Sequence, residues 1–268
     1  MEKLILFCKT YRNDVKLLKR LYESIKKHNI DKIPFYISCP QNDIEIIQKE
    51  LSVDGGYNII TDEDILCNLG LIQLDSTWHN QQIIKSSLWV LGLCENYVCI
   101  DSDSYFIRDF MLKDFMYDMI TPYTIMHEQK ELFDWALKYP AKLRQIKGGF
   151  EDERIKIMVL FNRYGKVYDC GPSPTIWSCK VWETLHKEYL EPNKLTIKDL
   201  IDRVPSEFTW YGEWLLYRKP INIYPSEALF KVFHYKEQYN DFIKDGYTLD
   251  MLTENYMGIV LQSNWTRI

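Results

Sequence analysis

The chain opens on an unbroken apolar run, Leu4-Ile5-Leu6-Phe7, then turns polar through Lys9-Thr10-Tyr11-Arg12-Asn13-Asp14. Apolar residues then recur at Val15, Leu17, Leu18, Leu21 and Ile25. The first pattern suits a strand buried on both faces, and the second suits one face of a helix. The alternation continues with a strand expected over residues 33–38, a helix over 43–51 and a strand over 57–60 after Gly55-Gly56. A helix around 83–93 and a strand over 97–100 follow. Such alternation predicts an α/β fold with a mainly parallel central sheet flanked by helices.

Beyond Arg108 the alternation loosens into a helical elaboration. A strand is expected over residues 119–124 and helices over 128–143, 151–164, 181–189 and 197–203. Asp169-Cys170-Gly171-Pro172-Ser173-Pro174 reads as a loop running into apolar Thr175-Ile176-Trp177-Ser178. Pro205-Ser206-Glu207 opens a further element with Ser206 as N-cap. No Pro-, Gly- or Ser-rich linker and no internal repeat divides the chain, so residues 1–268 are expected to form a single domain.

In sheets of this kind ligands bind outside the carboxyl ends of the strands, which places Lys9 to Arg12, Asp62 and Asp101-Ser102-Asp103 along one edge. Strand alternation would aim Asp101 and Asp103 to the same side, where they could share one cation. Carboxylate oxygens suit Mg²⁺ and Mn²⁺, which also accept oxygens from substrate phosphates. Asp62-Glu63-Asp64 follows an apolar stretch in the same way, so context must separate the two. The segment from Trp78 to Ile107 supplies it for Asp101 and Asp103: an amphipathic helix with Gln81, Gln82 and Lys85, a buried strand, the aspartates, then Tyr105-Phe106-Ile107. No G-x-G-x-x-G and no G-x-x-x-x-G-K-[ST] follows any of these strands, so a phosphate would have to be held by other means, such as a metal.

The 268 residues, 46% hydrophobic, suffice for a full core. A formal net charge of −5 argues against nucleic-acid binding, which needs a basic footprint. No segment reads as a signal peptide or a membrane span, so a cytoplasmic protein is expected, with any membrane association peripheral. The seven cysteines form no C-x-x-C pair and are expected to be reduced core residues.

The order of these pieces resembles the GT-A-fold, Rossmann-type nucleotide-sugar glycosyltransferases, and within them a bacterial group from capsule and lipopolysaccharide loci. The resemblance rests on Lys9-Thr10-Tyr11 with Asp14, Gln81-Gln82-Ile83-Ile84-Lys85, Ile100-Asp101-Ser102-Asp103, Pro205-Ser206-Glu207-Phe208 with Tyr211-Gly212, and Phe233-His234. It implies a nucleotide-binding half over 1–108 and an acceptor-binding half over 109–268. It also implies sugar transfer from a nucleoside-diphosphate sugar, a UDP-sugar foremost, to a hydroxyl of a glycan or lipid-linked glycan acceptor. Asp103, and Asp101 directly or through water, would hold Mn²⁺ or Mg²⁺ on the diphosphate, with His234 completing the metal shell.

Glu207, which matches the family motif, and Glu213 stand among aromatic residues and are the candidates for an acceptor base. Thr10, Tyr11 and Arg12 would lie under the nucleoside and phosphates, Asp62 could accept from a base N–H, and Ser102 stands between the aspartates. Lys85 could reach a phosphate, with Gln82 one helical turn away on the same face. The tail from Val260 to Trp265 is expected to fold over the donor. A sugar nucleotidyltransferase is the competing enzyme reading, disfavoured because Lys9 to Asp14 contains no glycine; a noncatalytic nucleotide- or glycan-binding module is the third.

Overall fold

The computed structural model describes residues 1–51, 55–71 and 77–266. Its first half runs β1 (Glu2–Lys9), α1 (Val15–His28), β2 (Phe35–Cys39), α2 (Ile44–Glu50), β3 (Asn58–Thr61), α3 (Asp62–Asn68), α4 (Thr77–Ser87), β4 (Cys94–Cys99) and β5 (Ser104–Phe106). The second half continues with β6 (Thr124–Ile125), α5 (Lys130–Ala136), α6 (Pro140–Leu160), β7 (Thr175–Ser178), α7 (Cys179–Leu185), α8 (Ile197–Arg203) and α9 (Glu207–Arg218). It closes with β8 (Pro225–Ser226), β9 (Phe230–Phe233), α10 (Lys236–Lys244), β10 (Gly258–Leu261) and α11 (Ser263–Thr266).

The central sheet has the order β3-β2-β1-β4-β7 and is parallel except for β7, which runs antiparallel to β4. Strand alternation sends Leu4, Leu6 and Cys8 of β1 to one face, where they meet Leu18, Leu21 and Ile25 of α1. Ile5 and Phe7 go to the other, against Ile83 and Ile84 of α4 and an aromatic group that includes Trp177, Trp182, Trp210 and Trp214. This two-sided burial is why the first apolar run is continuous rather than alternating. A second sheet, β5-β10-β9, brings the end of the chain back beside the segment that follows β4.

Three expectations change. Residues 119–124 form no continuous strand, because Asp118 Oδ1 accepts the amides of Ile120 (2.8 Å) and Thr121 (2.7 Å) and turns the chain there. Pro122 makes an isolated antiparallel bridge to Met116, and the strand itself is short, Thr124–Ile125 paired with Pro225–Ser226. The helical stretch expected over 128–143 breaks before Pro140, which lacks an N–H and begins α6 instead; α6 then continues through Gly148-Gly149 to Leu160. Ser206 is the N-cap residue of α9, but its hydroxyl pairs with Thr209 Oγ1 at 2.7 Å rather than with a backbone amide. Among the described residues no helix is long and apolar enough to cross a membrane.

Candidate functional site

β4 ends at Cys99, and the chain turns at once: the Ser104 amide donates to Asp101 O at 3.1 Å before β5 begins. Asp101 therefore opens a tight turn that has Ser102 and Asp103 at its centre, and the expected strand alternation does not relate the two aspartates. Each is fixed by a different part of the fold.

Asp101 is tied to α4 and α9. Lys85 projects from α4, buried at 3% exposure, with its Nζ 2.5 Å from Asp101 Oδ1 and 3.4 Å from Glu207 Oε1. Gln81 Nε2 donates to the same aspartate oxygen at 3.4 Å, and Tyr97 of β4 donates its hydroxyl to Lys85 O at 2.7 Å. The Asp101 amide donates to Ser173 Oγ at 2.7 Å, and Ser173 in turn donates to Cys99 O at 3.3 Å. Burial opposes the charge on Lys85, but Asp101 and Glu207 outweigh it and hold the ammonium above the ordinary lysine range. Burial likewise pushes the Glu207 carboxyl up, with Lys85 opposing.

Asp103 is tied to the C-terminal segment. Its Oδ2 accepts the Ser263 amide at 2.8 Å, and its carbonyl accepts the Leu261 amide and an Arg20 guanidinium N–H, each at 3.2 Å. Its Oδ1 is buried and has no hydrogen-bond partner. Burial, and next the charge of Asp101, push this carboxyl up to about 7. The tail thus meets the second aspartate, and Ser173 and Ser263, neither singled out as a site residue in the sequence, seat the pair. Their signal was only positional: a Pro-rich loop and an apolar-to-polar tail.

The first three strands converge nearby. Lys9 Nζ lies 2.9 Å from Asp62 Oδ2 and donates to Thr10 O at 2.6 Å, while Ser38 Oγ donates to Asp62 Oδ1 at 2.6 Å. Both carboxylate oxygens of Asp62 are engaged there. Burial pushes that carboxyl up, against the opposing influence of Lys9. The Asp62-Glu63-Asp64 tripeptide is the first turn of α3, where Thr61 and Asp64 form a capping box. Arg12 is committed to Asp43, its amide donating to Oδ2 at 2.8 Å and its Nε to Oδ1 at 2.6 Å. Ser102 is buried, Tyr11 half-buried, and Thr10 Oγ1 and Gln82 Oε1 are buried without partners.

Two candidates have surroundings of their own. Both oxygens of Glu213 are engaged by Arg163, one by Nε and the other by Nη2 at 2.7 Å, which gives it a structural partner rather than a free base. His234 lines a cavity with His127; burial, moderated by Asp169, lowers its imidazole to about 4. Among the described residues no three His, Cys, Asp or Glu side chains stand together as a metal-holding group.

This arrangement is a glycosyltransferase-like α/β fold. Over 98% of both chains it matches the crystal structure of mouse xyloside xylosyltransferase 1 in its apo form, with a TM-score of 0.52 and 7% sequence identity. The chain belongs to the family of unknown function DUF6492, whose model matches residues 3–245. None of the curated proteins matches the sequence.

Proposed function

We propose that this chain is a metal-dependent glycosyltransferase that moves a sugar from a nucleoside-diphosphate donor, a UDP-sugar foremost, to a hydroxyl of a glycan acceptor. The observation that carries this reading is Asp103 Oδ1, a buried carboxylate oxygen without a partner, beside a second carboxylate at the carboxyl edge of the sheet. Mg²⁺ and Mn²⁺ are held by one or two carboxylates, the remaining positions being filled by water and substrate phosphate, so the residues present fit such an ion without a third protein ligand. When bound, the cation neutralises charge on the leaving diphosphate.

Asp103 is the direct holder in this reading. Lys85 and Ser173 fix Asp101 beside it, and Glu207 serves as counter-charge to Lys85, not as acceptor base. Thr10 Oγ1 and Gln82 Oε1 offer two further buried polar atoms to the nucleotide. The fold likeness to a xylosyltransferase supports sugar transfer as the reaction. The sequence resemblance to capsule and lipopolysaccharide families supports a bacterial surface glycan as acceptor, modified in the cytoplasm at the inner face of the membrane.

A thermal-shift panel of UDP, GDP and CDP with and without Mn²⁺ tests the centre, because a ligand of the native state raises its stability. The expected result is a cation-dependent rise with one nucleotide, lost in Asp103→Ala, and release of that nucleotide from its sugar conjugate. A rise that is indifferent to Mn²⁺ and to Asp103 would overturn the metal centre. Turnover of a nucleoside triphosphate with a sugar phosphate would replace transfer with nucleotidyl transfer.

A further inference from the structure

A cavity of about 480 Å³, within the size range of small-molecule sites, lies among β9, the start of α5 and the 169–174 loop. Phe230, Val232 and His234 alternate onto it from β9 and the residue after it, and Pro172 lines it from the loop. The residue after Pro172 is Ser173, which accepts the Asp101 amide at 2.7 Å, so the cavity adjoins the carboxylate centre through one short segment. That segment is held firmly: Arg154 Nη2 lies 2.6 Å from Asp169 Oδ1, the Gly171 amide donates to the same oxygen at 3.1 Å, and His127 Nε2 donates to Gly171 O at 2.6 Å.

The lining combines hydrogen-bonding groups with aromatic faces, the pairing that suits the hydroxyl edge and the C–H face of a pyranose. The His234 imidazole faces the cavity with no ring hydrogen bond among the described residues; burial keeps it neutral, able to donate through one nitrogen and accept through the other. Tyr256, half-buried, supplies a ring and Glu227 supplies a carboxylate. Positive charge is scarce. Lys231 is spent on Glu131 and Lys166 on Glu128, no arginine lines the cavity among the described residues, and the lining's one lysine, Lys130, is exposed.

From this placement we infer that the cavity is a binding site for an uncharged sugar, the acceptor unit of the proposed transfer, with His234 and Glu227 hydrogen-bonding its hydroxyls and Tyr256 covering a ring face. Among the described residues its lining holds no buried cation for a carboxylate or phosphate on that sugar, and the buried Lys231 beside it is paired with Glu131, so acidic acceptors are disfavoured. The acceptor role rests on the glycosyltransferase reading; the sugar site does not.

Saturation-transfer NMR on the full chain, without nucleotide, tests the site with lactose, maltose, cellobiose and N,N′-diacetylchitobiose as neutral probes and a glucuronate-containing disaccharide as the acidic one. At least one neutral probe is expected to bind, and His234→Gln and Glu227→Ala are each expected to weaken it by about tenfold. Glu227 is exposed, which makes its variant a readout independent of folding. The proposal is overturned if no neutral probe binds, if the acidic probe binds more tightly, or if both variants bind like the parent. Sugar binding by a chain that never responds to nucleotide would remove the glycosyltransferase reading and leave the site standing. A nucleotide response without sugar binding would do the reverse.

Discussion

The ammonium of Lys85 lies 2.5 Å from Asp101 Oδ1 and 3.4 Å from Glu207 Oε1, so one buried cation joins residues more than a hundred positions apart in the chain. Its removal strands two carboxylates in the interior. Lys85→Met is expected to cost about 3–5 kcal/mol in urea unfolding, and Lys85→Met with Glu207→Gln distinctly less, because breaking one partner of a buried pair is worse than removing both. A loss in the double variant equal to the sum of those in Lys85→Met and Glu207→Gln measured singly would show that Glu207 is not Lys85's counter-charge.

Asp103 links the site to pH. The native state keeps this proton up to about pH 7, whereas the unfolded chain releases it roughly three units lower, so without metal the group's contribution to stability is lost as pH rises through that window. Asp103→Asn is therefore expected to raise the metal-free melting temperature at pH 8, by on the order of 1–3 kcal/mol in stability. It should also abolish stabilisation by Mn²⁺ with nucleotide. In the parent protein that stabilisation should weaken below pH 7, where the carboxyl must shed a proton to hold a cation. A variant that is less stable than the parent at pH 8 would contradict the strained carboxylate.

His234 acts in the opposite sense. Its folded value near 4 lies below the ordinary 6.5, so the unfolded state binds more protons between these values and stability falls as pH drops through them. The loss is expected to reach about 3 kcal/mol at most, and His234→Gln should flatten the stability profile between pH 4 and 6.5. Chemical unfolding across that range measures it; an unchanged profile in the variant would place the acid sensitivity elsewhere.

Glu213 separates structure from chemistry. Both of its oxygens serve Arg163, and the residue is 2% exposed. Glu213→Gln is expected to lose about 3 kcal/mol of stability while the cation-dependent nucleotide response persists. Retained stability with a lost response would return Glu213 to the site.

The alternating first half was legible because β1, β2 and β4 are buried by their own neighbours, and burial writes itself into apolar periodicity. Asp101 and Asp103 stood out for the same reason: a polar pair directly after a buried strand. The two acidic tripeptides could not be ranked by pattern. Thr61 and Asp64 make one of them a helix start, and this became visible only with the capping geometry in place. Glu213 and Glu207 looked alike among aromatics, yet one faces Arg163 and the other Lys85.

By itself the sequence determined the four parallel strands of the central sheet and the helices α1 and α2 between them, the absence of phosphate-binding glycine loops after those strands, and the residues at the sheet's carboxyl edge, but not α3 or β5. These follow from local periodicity and residue type. The tertiary structure alone decided which of those polar groups are already partnered. It gave Asp101 to Lys85 and Ser173, Asp62 to Lys9 and Ser38, and the second oxygen of Asp103 to Ser263, leaving Asp103 Oδ1 unpartnered. It also turned His234 into a cavity with His127. Partnership between residues far apart in the chain depends on where folding places them, and no local pattern records it.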